Sequence, residues 1–181
     1  MKTSATKLFG IFLGLILTAL SFDSIQAQIK PWIVIPNAAQ RFQVLSSFND
    51  LAVLDRETGL IWQKTPVSSL GQLNLVDWAF AVNTCYLQAV SNRLGWRLPT
   101  VEELQSLHDL GIFGPDDTRL PLGHPFVSVL NGSVHFYWSS TTQADDPTKA
   151  YGVSMNANFN GPTTFSKTDN RGVWCVRGGS N

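Results

Sequence analysis

Charge is scarce in this chain: only 14% of its 181 residues are Asp, Glu, Lys or Arg, and 13 basic residues meet 13 acidic ones. So balanced a sequence has no field with which to hold a polyanion indiscriminately, which argues against non-specific nucleic-acid binding. Histidine is rarer still. His108, His124 and His135 are the only three, with no HExxH and no Cys-His pair at metal spacing. A Gly-x-Ser-x-Gly elbow is also missing. There are two cysteines, Cys85 and Cys175, and one long apolar run, Leu8 to Leu20, too short to cross a bilayer easily.

That run is informative because Lys2 and Lys7 precede it and a polar stretch ending Ser24-Ile25-Gln26-Ala27 follows it. The pattern is that of a secretory signal over residues 1–27, cleaved after Ala27, which makes the mature protein secreted or periplasmic. No Cys follows the cleavage region, so a lipid anchor is not expected. Losing Lys2, Lys7 and Asp23 leaves 11 basic and 12 acidic residues, a net charge near −1. In an oxidising compartment an even pair of cysteines suggests a disulfide. It would close a loop of about 90 residues, worth on the order of 4 to 5 kcal/mol of chain entropy.

With 44% hydrophobic residues the chain has material for one globular domain. The segment 28–40, bounded by Pro31 and Pro36, reads as a linker or edge strand before a domain over 41–181. Within it, RFQVLSS (Arg41 to Ser47) alternates as a strand, and LAVLDRETGLIWQK (Leu51 to Lys64) reads as two strands around the turn Arg56-Glu57-Thr58-Gly59. The period then changes. Leu75, Ala79, Val82, Tyr86 and Ala89 recur at helical spacing, predicting a helix capped by Asn74 with those residues inward and Cys85 close to the interior.

GWRLPTVEELQSL (Gly95 to Leu107) holds a second helix start. Thr100 and Glu103 fit a capping box, Pro99 cannot continue the helix backwards, and Val101 and Leu104 with Leu107 or His108 face the core of a helix to about Asp109. The cap needs neither Arg97 nor Glu102, so an ion pair is the first role to seek there. Residues 111–132 carry three prolines and four glycines and read as a long loop. HFYWSSTT, KAYGVSMNANFN, PTTFSKT and GVWCVRGG then follow as strands, with Asn160-Gly161 as a hairpin turn. Alternation along Tyr151 to Asn160 predicts one buried face and a second, polar one bearing Ser154, Asn156 and Asn158. GVWCVRGG is apolar on both faces and reads as a central strand. The order is α+β.

Five segments in this order, AVLDRETGLIW, DWAFAVNTC, GWRLPTVEELQSL, YWSSTT and WCVRGG, resemble the Lcl C-terminal domain family from about Arg41 to Gly179. The resemblance implies a variant of the C-type lectin-like fold: two helices on twisted antiparallel strands, a long loop, and a disulfide from the first helix to the last strand. Cys85 and Cys175 fall where it would be. It also implies surface attachment, since the founding adhesin binds sulfated glycosaminoglycans. This chain lacks that adhesin's collagen repeat and is not basic overall.

Sulfate recognition needs clustered Lys or Arg, and Lys149, Lys167 and Arg171 are the candidates. Tyr151 offers a ring to a sugar face, and Ser154, Asn156 and Asn158 offer hydrogen bonds to its hydroxyls. Trp96, Arg97, Pro99, Thr100, Glu103, Trp138, Trp174 and Arg177 read as structural. Calcium-dependent lectins carry Glu-Pro-Asn or Gln-Pro-Asp and Trp-Asn-Asp triplets, which this sequence lacks. The pairs Asp116-Asp117 and Asp145-Asp146 are therefore weak calcium candidates, and no cofactor is expected. The expected function is an exported, non-catalytic module for polysaccharide or glycosaminoglycan-like ligands, with an envelope protein-binding module as the alternative. An oxidase of the formylglycine-generating kind is a weaker one, because a disulfide would consume both cysteines.

Overall fold

The computed structural model describes residues 35, 37–66, 75–109, 118–132, 135–159 and 161–179. The expected signal at 1–27, most of the segment 28–40, the cap assigned to Asn74, Asp116-Asp117 and the first part of the long loop lie outside them.

A single helical turn, α1 (Ala38–Arg41), is capped by the Asn37 side chain, which accepts from the Ala39 N–H. It leads into a meander of β1 (Phe42–Val44), β2 (Ala52–Asp55) and β3 (Ile61–Gln63), each antiparallel to the last. The turn between β2 and β3 falls where the sequence places it. Gly59 takes φ 76°, while Asp55 accepts from the Glu57 N–H and the Thr58 hydroxyl.

Asp55 is fully buried and also takes two hydrogen bonds from Arg41, at 2.9 and 2.8 Å. Arg41 in turn reaches Glu57 at 2.9 Å and the Ser106 carbonyl at 2.6 Å. One arginine thus joins the meander to the helical half of the molecule.

The second helix, α2 (Trp78–Leu87), starts later than expected and is capped by Asp77, whose carboxylate accepts from the Phe80 N–H. Its phase also differs from the sequence reading. Ala81 and Cys85 are the fully buried residues, whereas Ala79, Tyr86 and Ala89 are exposed and Leu75 is 38% exposed. Cys85 fixes this phase because it bonds to Cys175. The position one turn earlier, Ala81, must then also face inward.

The following strand β4 (Trp96–Arg97) leads into α3 (Val101–Ser106), where the expected capping box is complete. Glu103 donates its N–H to Thr100 Oγ1, and its carboxylate accepts from the Thr100 N–H at 2.8 Å. Leu107, not His108, is the fully buried residue after the helix.

Two antiparallel sheets complete an α+β fold: the first has order β1-β2-β3-β8-β4, with β8 (Val176–Arg177) central as expected. The second comprises β5 (Tyr137–Thr142), β6 (Lys149–Val153) and β7 (Thr163–Ser166). Gly172 bridges to Tyr137 of the second sheet and Val176 pairs in the first, so the last apolar run stitches the two together.

The core has two clusters. Trp62, Trp174, Phe126, Tyr137 and Val153 pack with Val101 and Leu104 of α3 in one. Trp96, Trp138, Ala150 and Cys175 pack with Ala81 and Cys85 of α2 in the other. Neighbouring residues of β5, Tyr137 and Trp138, belong to different clusters, so the second sheet is covered on both faces.

That double cover overturns the expected polar hairpin face. Ser154 and Asn156 are buried along with Met155, because loop residues 118 and 119 lie against them: Thr118 bridges to Asn156, and the Arg119 N–H donates to the Met155 carbonyl. Strand β6 ends at Val153, so no two-residue turn joins it to β7.

Candidate functional site

The three candidate bases lie around the end of the β6–β7 ladder that meets the start of α2, with Lys149 on the face of Tyr151 and with Lys167 and Arg171 on the face of Phe165. Lys149 pairs in register with Ser166, and the Lys167 N–H donates to the Thr148 carbonyl beside it. The Lys167 carbonyl accepts from the Trp78 N–H, while Arg171 and Val76 exchange both backbone hydrogen bonds.

Each base already has a local partner. The Lys149 ammonium is 3.1 Å from Asp146, the Lys167 ammonium stands 4.1 Å over the Trp78 ring, and the Arg171 guanidinium lies 3.9 Å over Phe165 with Asp169 at 3.4 Å. The Thr148 hydroxyl, then Lys149, hold the Asp146 carboxyl below its usual range. Such exposed pairs are weak, and an anionic ligand can replace the carboxylates. Asp145 and Asp146 serve as turn residues here, accepting from Gln143 and from Thr148.

The polar candidates fare differently. Ser154 Oγ accepts from the Asn156 N–H; Asn156 Oδ1 accepts from the Asn158 N–H and its amide donates to the Asn131 carbonyl. Asn156 is therefore a clamp on the long loop, not a ligand contact. Asn158 is exposed, and Tyr151 is half-buried against the first cluster.

Trp96, Trp138 and Trp174 are buried, with indole N–H groups donating to the carbonyls of Arg93, Val76 and Gln63. Pro99 is buried and its carbonyl takes the Ser140 N–H. Arg177 is half-buried, 5.8 Å over the Phe48 ring.

Arg97 finds its ion pair with Glu103, not Glu102: two hydrogen bonds of 2.7 and 2.6 Å join guanidinium and carboxylate, and a third runs to the Gly178 carbonyl at 2.8 Å. The bonds to Glu103 raise the arginine's affinity for its proton further. The pair forms one wall of a groove of about 370 Å³ between α2, β4, α3 and β5, which Val82, Tyr86, Leu98 and Ser140 also line. Tyr86 is 74% exposed at its edge. Sequence reading missed this residue by placing it in the core. The signal that finds it is the cysteine, since an inward Cys85 turns its neighbour Tyr86 about 100° away.

A second opening, of about 290 Å³, lies in the long loop between Thr118, His124 and Asn131. Nearby, burial and then the Arg119 charge push His108 down to about 4, against a favourable bond to the Ser154 backbone. Its Nε2 is buried with no hydrogen-bond partner among the described residues. Among the described residues no three His, Cys, Asp or Glu side chains converge to hold an ion.

The family model of the Lcl C-terminal domain matches residues 51–177. The chain belongs to the Lcl C-terminal domain family. Comparison with curated proteins finds no match. The matched span holds the disulfide, the three bases and the groove. It starts at Leu51, after the expected boundary at Arg41, although β1 ahead of it pairs with β2. In this Lcl C-terminal domain three of the segments that carry the resemblance meet at the groove: the helix of Cys85, the GWRLPT stretch, and Ser140 of YWSSTT.

Proposed function

We propose that this Lcl C-terminal domain is an exported, non-catalytic module that binds polysaccharide or glycosaminoglycan-like ligands at a cell surface. The observation that carries the reading is the end of the β6–β7 ladder, where Lys167 stands over the Trp78 ring and Arg171 over the Phe165 ring on one face, with Lys149 at the same end on the other. Lys149 is paired with Asp146 and Arg171 with Asp169, and Asp77 and Asp145 lie in the same region, but among the described residues Lys167 has no carboxylate at ion-pair distance and is the cation with charge to spare. Charge-assisted bonds from this end of the ladder suit sulfate or carboxylate groups on a sugar chain.

The C-type lectin-like fold belongs to the same proposal. It is supported by the disulfide from α2 to the residue before β8 and by the long loop folded over the late sheet. Export agrees with the signal pattern and the disulfide. The non-catalytic reading rests on the two cysteines being joined, which leaves them no thiol for oxidase chemistry.

The test is a glycan array probed with the mature protein, with calcium and with chelator, including heparin-like and neutral glycans. Binding is expected in both conditions. Changing Lys149, Lys167 and Arg171 together to Gln should weaken heparin-like binding by about tenfold or more with the fold intact, and salt should do likewise. Absence of any glycan binding would overturn the reading in favour of a protein partner.

A further inference from the structure

Tyr86 is a large aromatic side chain, 74% exposed, on the rim of a groove whose floor and walls are otherwise well packed. We infer that this groove is a second carbohydrate site that takes an uncharged sugar ring, with Tyr86 as its stacking surface. The inference rests on the glycan-binding reading and adds a site distinct from the basic end of the β6–β7 ladder.

The chemistry of the lining selects the ligand. The volume, about 370 Å³, falls in the range of small-ligand sites. Val82 and Leu98 give it an apolar side, which suits the C–H face of a pyranose, and the Tyr86 ring offers that face a flat partner.

The polar groups are half-used. Thr100 Oγ1 accepts from the Glu103 N–H, leaving its own proton to donate. Ser140 Oγ donates to the Pro99 carbonyl, leaving its lone pairs to accept. Glu103 Oε2 takes two N–H groups, from Arg97 and Thr100, whereas Oε1 takes the Arg97 Nη2 alone among the described residues. One donor and two acceptors therefore point at a ligand that is itself both donor and acceptor, as a hydroxyl is.

Charge selects in the same direction. Arg97 and Glu103 cancel one another through a two-pronged pair, so the groove offers no spare cation to a sulfate and sets a carboxylate beside it. An anionic ligand belongs at the basic end of the β6–β7 ladder and a neutral one here.

Titration with biotinylated maltotetraose, cellotetraose and chitotetraose, and with heparin as the anionic probe, tests the assignment. At least one neutral probe should bind the wild type. Tyr86→Ala should weaken it about three- to tenfold, while Tyr86→Phe, which keeps the ring, should not. Heparin affinity should be unchanged in both. Phe80→Ala removes an exposed ring on the same helix but outside the groove and should leave neutral binding intact. Neutral binding untouched by Tyr86→Ala, or lost equally in Phe80→Ala, would overturn the groove. So would heparin binding with no neutral binding, and each of these leaves the proposed function standing. If no glycan binds at all, that function falls, and the groove assignment with it.

Discussion

Two arginine–carboxylate pairs organise this domain, and they differ in what surrounds them. Arg41 and Asp55 are sealed, with side-chain exposures of 7% and 0%; Arg97 and Glu103 are partly open, at 34% and 18%. Both are two-pronged and both sit beside a turn that the sequence specifies. Burial turns the first into a structural latch, because Asp55 without Arg41 would be a charge stranded in the interior, and Arg41 without Asp55 would keep only Glu57. Openness lets the second serve a groove, since its lone pairs still face solvent.

The largest test of that contrast is Asp55→Ala. It removes the two-pronged partner of Arg41, leaving Glu57 as its one carboxylate among the described residues, and the acceptor of the Glu57 N–H and Thr58 hydroxyl, so a loss of about 3 kcal/mol in urea melts is expected. A loss below 1 kcal/mol would show that the latch is not sealed.

A somewhat smaller effect comes from His108, two residues beyond the Ser106 carbonyl that Arg41 grips. Its folded-state value is held at about 4 and its ordinary one is 6.5, so between these the unfolded chain takes up a proton that the folded chain refuses. Stability is therefore complete above pH 6.5 and is lost as pH falls towards 4, by on the order of 2 to 3 kcal/mol. His108→Gln should flatten that part of the pH profile. Parallel curves for the two proteins would assign the acid sensitivity to carboxylates instead.

The smallest change is expected of Glu103→Gln. Glutamine can still complete a capping box through its one amide oxygen, but the charge opposite Arg97 and one of the two hydrogen bonds from it are lost, so roughly 1 kcal/mol in the same melts is the expected cost. A cost equal to that of Asp55→Ala would erase the distinction between the two pairs.

What sequence reading reached follows the same division between local and distant causes. The DRETG turn, the Thr100–Glu103 box and the Cys85–Cys175 bond were legible because each depends on neighbouring residues or on simple pairing. The phase of α2 was not legible. Ala79, Phe80, Val82, Tyr86 and Leu87 are apolar on every side of a ten-residue helix, so periodicity has no contrast to read, and only the distant Cys175 decides. The polar face of Ser154 and Asn156 failed for a related reason. Alternation tells which residues share a face, but not that a loop some 35 residues earlier will cover it. Arg97 needed a partner, and the choice between Glu102 and Glu103 rests on geometry that spacing does not encode. The three bases were candidates by residue type alone, and that Lys167 and Arg171 share one face of the β6–β7 ladder while Lys149 lies on the other emerges only from its register and ring contacts.

The disulfide has a consequence beyond stability. The long loop lies wholly between Cys85 and Cys175, so hydrolysis of any one peptide bond there gives two chains still tied by a covalent link. Core residues on both sides of such a cut, Leu104 on one and Trp174 on the other, stay tethered at high effective concentration. A proteolytic nick in this loop changes the number of chain ends without releasing a fragment.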